Sequence, residues 1–366
     1  MRCLHIIAGD LWAGAEVSAF NLMVELAGRP AIELEAALFR EGELASRLRR
    51  AGIPVHVFPD DRGSFPMLIR SVVAAVRERP PELVHSHKTR EHLVGTALEA
   101  RYGASHVRSV HGMPPRLALH GSLLGFADLF ADGLADLSES TWIAVSRELA
   151  GQVAGMRRVV HVVPNGMPEK TKAPDRDSLN SVFPGDAQHR YIGFVGRLER
   201  VKRPDRFVDL MARLRPVPEA SNVRGVILGD GSLRAQVSAQ IERLGAGDVV
   251  KMLGHRDDAD RLIAALHALV ICSDHEGHPM VLLEAMRAGV PVISFDVGGL
   301  REALGETPWL VPAGDEPAMA ARMAELLSDA SASRQWSERL RGIFLERYTI
   351  GRTADQVISI YTECQS

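Results

Sequence analysis

A chain of 366 residues exceeds what one core ordinarily holds, because single cores stop growing near ~250 residues, and so predicts two domains. Apolar residues at 46% and charged residues at 24% exclude a disordered or collagen-like chain. A formal charge of −3 on 43 basic and 46 acidic side chains, with only 5% aromatics, excludes a whole-chain footprint for nucleic acid.

Three cysteines, Cys3, Cys272 and Cys364, are too few and too scattered for a disulfide framework or a zinc cluster, and the expected compartment is the reducing cytoplasm. The opening MRCLHIIAGD is a short apolar strand without the long apolar region of a signal peptide, and no apolar run reaches 18 residues, so no membrane span is expected.

Strand-length apolar runs recur at 3–8, 34–39, 55–59, 83–87, 107–112, 141–146 and 159–164, separated by stretches such as 18–28 and 67–79 with apolar residues at helical spacing. This alternation predicts a parallel sheet covered by helices on both faces. The segment 114–137 is rich in Leu and Phe and reads as an amphipathic helix. Its Arg116, Asp128, Asp132 and Asp136 do not make the basic face of an interfacial helix, so packing on its own sheet is expected, with peripheral membrane contact as the alternative. Residues 169–188 are polar and rich in Pro, Asp and Ser, a linker composition. The rhythm restarts at 191–196, 223–230, 249–254, 268–273, 291–296 and 308–314, and 350–366 reads as a helix packing back on the first domain. The predicted fold is α/β: two Rossmann-like, doubly wound parallel-sheet domains, 1–168 and 189–349, facing a central cleft.

Open α/β sheets bind ligands at the carboxyl ends of their strands. After the strand 191–196 come Arg197 and Lys202, five residues apart on a strand-to-helix loop before Pro204. In that position they make an anion clamp reinforced by a helix N-terminus; solvated surface charge is the plainer alternative. Gly229 and Gly231 begin like a dinucleotide fingerprint, but Arg234 stands at the third glycine, so the pair predicts a tight turn that a ligand or the other domain approaches closely.

In the segment 270–302, Glu276 lies in a loop and Glu284 lies eight residues on, inside a helix running from near Pro279 to Gly289. The first can accept hydrogen bonds from sugar hydroxyls and the second from a ribose diol. Amides around Met280 and Val281 lack intrahelical acceptors and suit a phosphate. Val297-Gly298-Gly299 is another loop built for close backbone approach. His275 and His278 flank Glu276 three residues apart, with glycine between and proline after, which is the wrong spacing for a zinc-protease helix, and no metal is expected there. His85, His87 and His92 read as exposed or helix-packed histidines.

These segments resemble the family-4 retaining glycosyltransferases of the GT-B fold. The second domain carries the likeness over nearly its whole length, in GFVGRLERVKRPDRFV, ILGDGSLR, VKMLGHRDD, EGHPMVLLE (the E-x7-E element), EAMRAGVPVIS, VGGLRE and LVPAGD, in order and at matching spacing. The first domain matches more loosely, in AGDLWAGAE, VHSH, SVHG, IAVSREL and VVPNGM.

The resemblance implies that Arg197 and Lys202 grip the donor diphosphate, Glu276 contacts the donor sugar near the reacting carbon, and Glu284 binds the ribose. It implies that the backbone from Leu253 to Arg256 holds the nucleobase. Gly14 would be the glycine of a flexible loop near the diphosphate, Glu16 the glutamate behind it, and His111 a strand-end histidine facing the donor sugar. His111, Glu276, Arg197 and Lys202 form the implied catalytic set; Gly14, Arg256, Met280, Val281 and Glu284 join the last three in binding the donor.

The implied activity is metal-independent, retaining transfer of a hexose-type sugar from a nucleotide diphosphate sugar. The donor is expected to be a UDP-sugar ahead of a GDP-sugar, no cofactor is expected, and the acceptor is a hydroxyl on a glycan, glycolipid or small molecule, with polysaccharide biosynthesis as the expected setting. A nucleotide-sugar 2-epimerase of the same architecture and a non-catalytic nucleotide-sugar-binding protein are the alternatives. Three positions depart from the family pattern: Ala13 where a glycine is usual, His278 where an aromatic or aliphatic residue is usual, and Arg203 where glycine is common.

Overall fold

The computed structural model describes residues 1–10, 12–59, 65–112, 140–154, 158–183 and 189–365. The chain forms two compact units, one of Met1–Pro168 with Tyr348–Ser366, the other of Glu169–Arg347. The segment 114–137 lies outside the described residues. Among the described helices none is long and apolar enough to cross a membrane.

The first unit holds β1 Arg2–Ile7, β2 Glu33–Leu38, β3 Val55–Val57, β4 Leu83–Ser86, β5 Ser105–Val110, β6 Ser140–Ala144 and β7 Arg158–Val162. They pair in parallel in the order β3-β2-β1-β4-β5-β6-β7. Strand side chains alternate between faces. Cys3 and Ile7 of β1 join one core with Leu22, Met23 and Leu26 of the helix Gly14–Ala27, while Leu4 and Ile6 join another with Leu68 and Val72 of the helix Phe65–Ala75. Burial on both faces is why these strands read as almost unbroken apolar runs.

The final helix, Ile350–Glu363, belongs to this unit and lays Ile350, Ala354, Val357, Ile360 and Tyr361 into the first of those cores. Its entry is pinned by a parallel bridge between Met167 and Thr349, beside Gly166, where a Cβ would fall 2.3 Å from the Thr353 hydroxyl.

The second unit holds β8 Arg190–Val195, β9 Val223–Leu228, β10 Val250–Gly254, β11 Ala268–Ile271, β12 Val292–Phe295 and β13 Leu310–Val311, all parallel in the order β10-β9-β8-β11-β12-β13. The thirteen strands among the described residues fall where the apolar runs predict them, with ends shifted by up to a few residues. The linker expectation needs correction up to residue 183. Residues 176–180 form a short helix whose first turn is capped by Asp175, the carboxylate accepting from the Ser178 N–H at 3.0 Å, and Leu179 and Phe183 are buried. Asn180 accepts from the Tyr191 hydroxyl at 2.9 Å, and Lys172 pairs with Asp260 at 3.1 Å. One cap and two apolar anchors suffice to dock a segment whose polar composition conceals them.

Candidate functional site

The strand order of the second unit reverses between β8 and β11, and such a switch point is where open sheets leave a crevice at their carboxyl ends. Arg197 and Lys202 follow β8, and Glu276 follows β11. Lys202 Nζ lies 2.7 Å from both carboxylate oxygens of Glu276, and the Ser273 hydroxyl donates to Oε1 at 2.6 Å. Glu276 is 5% exposed, so a nearly dry carboxyl group has its hydrogen bonds supplied by an ammonium and a hydroxyl in place of water. Arg197 is exposed, and its side chain makes no hydrogen bond or ion pair among the described residues.

Three glycines explain how this cluster is held. Gly298 has φ +57°, and a Cβ there would fall 1.7 Å from the Glu276 carbonyl oxygen, while the Gly299 N–H donates to that same oxygen at 2.9 Å. Gly229, with φ +133°, passes so close to Gly196 that a Cβ would lie 2.0 Å from its carbonyl oxygen. A Cβ on Gly231 would lie 2.6 Å from that of Leu198. The close approach read from these glycines is therefore made by the Arg197 and Glu276 loops themselves.

Past Glu276 runs the helix Met280–Ala288, started at an extended Pro279 with no side-chain cap and stopped at a left-handed Gly289. Met280 and Val281 supply its first amides. Glu284, one turn in, is half-buried, and loss of hydration pushes its carboxyl up to about 7 against the pull of Arg287. Arg256 follows β10 and is fixed by Asp258 through contacts of 2.7 and 2.8 Å. Asp258 and Asp260 form an Asp-x-Asp pair after the same strand, a spacing that can serve a divalent cation, but Arg256 occupies one and Lys172 the other. His278 is buried, and burial lowers its imidazole to about 4, so this departure places a neutral ring beside the loop.

Ala13 adopts φ −136° and ψ −177°, an extended backbone open to any residue, so the missing glycine costs nothing there. Arg203 is the opposite case. It is left-handed at φ +52°, ψ 53°, a conformation that costs a side-chain-bearing residue on the order of 1 kcal/mol, and its guanidinium is tied to Asp205 at 2.8–3.1 Å.

The first sheet switches between β1 and β4. Gly14 opens the helix after β1, and Glu16, buried in its first turn, pairs with Lys88, the second residue past β4; Asp10 lies 3.6 Å from the same ammonium. His111 is the first residue beyond β5. Its Nε2 lies 3.1 Å from His87 Nδ1, and its buried Nδ1 has no partner among the described residues. Burial, and then the Lys88 charge, lower this imidazole to about 4.

The sequence reading passes over Ser273, Lys88 and Tyr361, and underrates His87. Ser273 and Lys88 each stand two residues past a strand's carboxyl end, a signal that could have found them. Of the two readings for His85, His87 and His92, exposure fails: all three are buried, His85 against the final helix and His92 hydrogen-bonded to the Ser86 hydroxyl at 2.7 Å.

Two parallel doubly wound sheets with charged clusters at their switch points define the GT-B class of glycosyltransferase folds. The model for "Glycosyl transferases group 1" matches residues 175–342, and that for "Glycosyltransferase Family 4" matches residues 12–170. The chain is 28% identical over 189 residues to N-acetyl-alpha-D-glucosaminyl L-malate synthase of Bacillus anthracis, a match covering 51% of this chain and about half (49%) of that protein. It is 27% identical to 2-deoxystreptamine N-acetyl-D-glucosaminyltransferase of Streptomyces fradiae, over 89% of this chain and 85% of the relative. The fold is shared with Anabaena Alr3699/HepE, solved in complex with UDP and glucose, at TM-score 0.84 and 24% identity over 99% of this chain and 100% of that one. The chain belongs to the family-4 glycosyltransferases.

Proposed function

We propose that the chain is a retaining, metal-independent glycosyltransferase that moves a hexose-type sugar from a nucleotide diphosphate sugar, a UDP-sugar ahead of a GDP-sugar, to an acceptor hydroxyl. The observation that carries this reading is the Lys202–Glu276–Ser273 cluster at the β8/β11 switch point, with the exposed side chain of Arg197 on the adjoining loop making no hydrogen bond or ion pair among the described residues.

A diphosphate arriving there meets two cations. Lys202 exchanges one oxyanion for another, and Glu276, relieved of its ammonium, accepts hydrogen bonds from the sugar hydroxyls. The amides of Met280 and Val281 add the positive end of an uncapped helix. Glu284 accepts from the ribose, and the backbone leading to Arg256 borders the base. As the anomeric carbon gains positive charge, negative charge grows on the departing diphosphate, and Arg197 and Lys202 stabilise it in place. The leaving phosphate oxygen takes the proton of the acceptor hydroxyl, so no separate base is required. His111 and the amides at Gly14 complete the proposed set, His111 as a neutral group that orients the sugar.

A thermal-shift screen of UDP-, GDP- and ADP-sugars tests the donor class, with stabilisation by UDP-sugars expected. Incubation with the stabilising donor alone is expected to give slow hydrolysis at most; accumulation of a new sugar nucleotide would make the protein an isomerase.

A further inference from the structure

A buried polar chain in the first unit extends well beyond the donor residues. β1 and β4 are parallel neighbours with His5 opposite His85, and side-chain alternation puts His5, His85 and His87 on the face covered by the helices Gly14–Ala27 and Ile350–Glu363. All three rings are buried. The Ser109 hydroxyl lies 2.7 Å from His85 Nε2, and His85 Nδ1 lies 2.5 Å from the Tyr361 hydroxyl. That hydroxyl is 3.1 Å from His5 Nε2, His5 Nδ1 is 3.0 Å from His87 Nε2, and His87 Nδ1 is 3.1 Å from His111 Nε2. Residues separated by up to 356 positions thus make one continuous line. Burial lowers the His5 imidazole to about 3, and burial together with the neighbouring rings holds His85 and His87 well below the ordinary value.

A neutral imidazole has one N–H and one bare nitrogen. The contacts joining His5, His87 and His111 can therefore be filled in only two ways. Either every proton points toward His111, whose Nδ1 then carries the last N–H, or every proton points away and Nδ1 is a bare lone pair. That Nδ1 is buried without a partner among the described residues. An orphaned buried N–H is the rarer and costlier condition, so the second arrangement is favoured, with the His5 Nε2–H donating to the Tyr361 oxygen. His87, Ser109 and His111 also line a cavity of about 20 Å³ together with Ser18, Asn165 and Thr353, room for one hydroxyl or one water.

We propose that Tyr361, His5 and His87 are positioning residues that hold His111 as its Nε2–H tautomer, so that Nδ1 offers a lone pair to a sugar hydroxyl. This rests on the reading of His111 given above. A metal is the rival occupant, since the ring nitrogens of His5, His85 and His87 lie within 4.8 Å of one another. Those nitrogens are already joined in hydrogen bonds, and the set offers no anion to a buried dication.

The test is imidazole 15N–1H NMR on the full chain labelled with [15N]histidine, with His111 assigned through His111→Ala. The wild-type protein is expected to show His111 as Nε2–H. Tyr361→Phe leaves the His5 N–H without its acceptor and shifts His111 toward Nδ1–H. His87→Asn, a second variant in case the first fails to fold, keeps an amide at the Nδ1 position and cuts the link to His5, and is expected to free the His111 tautomer likewise. With UDP release from UDP-glucose as the kinetic readout, Tyr361→Phe and His87→Ala are expected to lose about tenfold in kcat at unchanged KM, and His87→Asn to recover part of it. An Nδ1–H tautomer in the wild type, a tautomer indifferent to both variants, or one Zn²⁺ bound per chain with loss of these signals would each overturn the proposal. So would full kcat in His87→Ala beside an inactive His111→Ala. A fully active His111→Ala would instead refute the role given to His111 while the tautomer result stood.

Discussion

Replacing Glu284 by Gln is expected to stabilise the protein and weaken its donor site together. Burial pushes the Glu284 carboxyl from its ordinary 4.5 up to about 7, so between those values the folded chain holds a proton that the unfolded chain has lost. Stability from this group is fully present below pH 4.5, falls as pH rises toward 7, and is gone above it. At 1.36 kcal/mol per pH unit the full effect is about 3 kcal/mol; the carboxyl is only half-buried, and solvent screening reduces this to ~1–2 kcal/mol. Glutamine carries no charge to desolvate, so at pH 8 Glu284→Gln is expected to melt ~2–6 °C higher than the wild type, and at pH 4.5 at nearly the same temperature. The two carboxylate acceptors proposed for the ribose diol become one, and the shift produced by saturating UDP is expected to shrink. Thermal unfolding at both pH values, with and without UDP, reads all of this. A Glu284→Gln protein less stable than the wild type at pH 8, or equally stabilised by UDP, would refute the reasoning.

Arg197→Ala removes an exposed cation whose side chain makes no hydrogen bond or ion pair among the described residues, so folding is expected to be nearly unchanged while turnover of a UDP-sugar falls ~10²–10³-fold, measured as UDP release. Gly298→Ala drives a methyl into the Glu276 carbonyl oxygen from a left-handed backbone; a loss on the order of 2–4 kcal/mol and of UDP binding is expected from denaturant melts and titration. Arg203→Gly relieves the left-handed strain but gives up the Asp205 ion pair, so stability within about 1 kcal/mol of the wild type is expected, with UDP affinity unchanged.

The strands were legible because parallel sheets buried on both faces leave continuous apolar runs, and the helix Met280–Ala288 because Pro279 and Gly289 mark its ends. The glycines at 229, 231 and 298 announced close backbone approach. What approaches them is set by tertiary packing, and here it is the loops bearing Arg197 and Glu276. The two departures at glycine positions look alike in sequence and differ in dihedral angle alone, extended at Ala13 and left-handed at Arg203. The short helix at 176–180 was hidden because its docking rests on very few side chains. The histidine chain was only partly legible for a different reason. His5, His85 and Tyr361 meet through parallel register and the return of the final helix, and no local pattern encodes either.

The central claim is that the β8/β11 switch point binds a nucleotide diphosphate. Calorimetric titration of UDP into the wild type and Lys202→Met tests it most directly. One UDP per chain is expected, with affinity at least about tenfold weaker in the variant, the loss of one charge-assisted contact. No UDP binding by the wild type, or equal affinity in both proteins, would contradict the account.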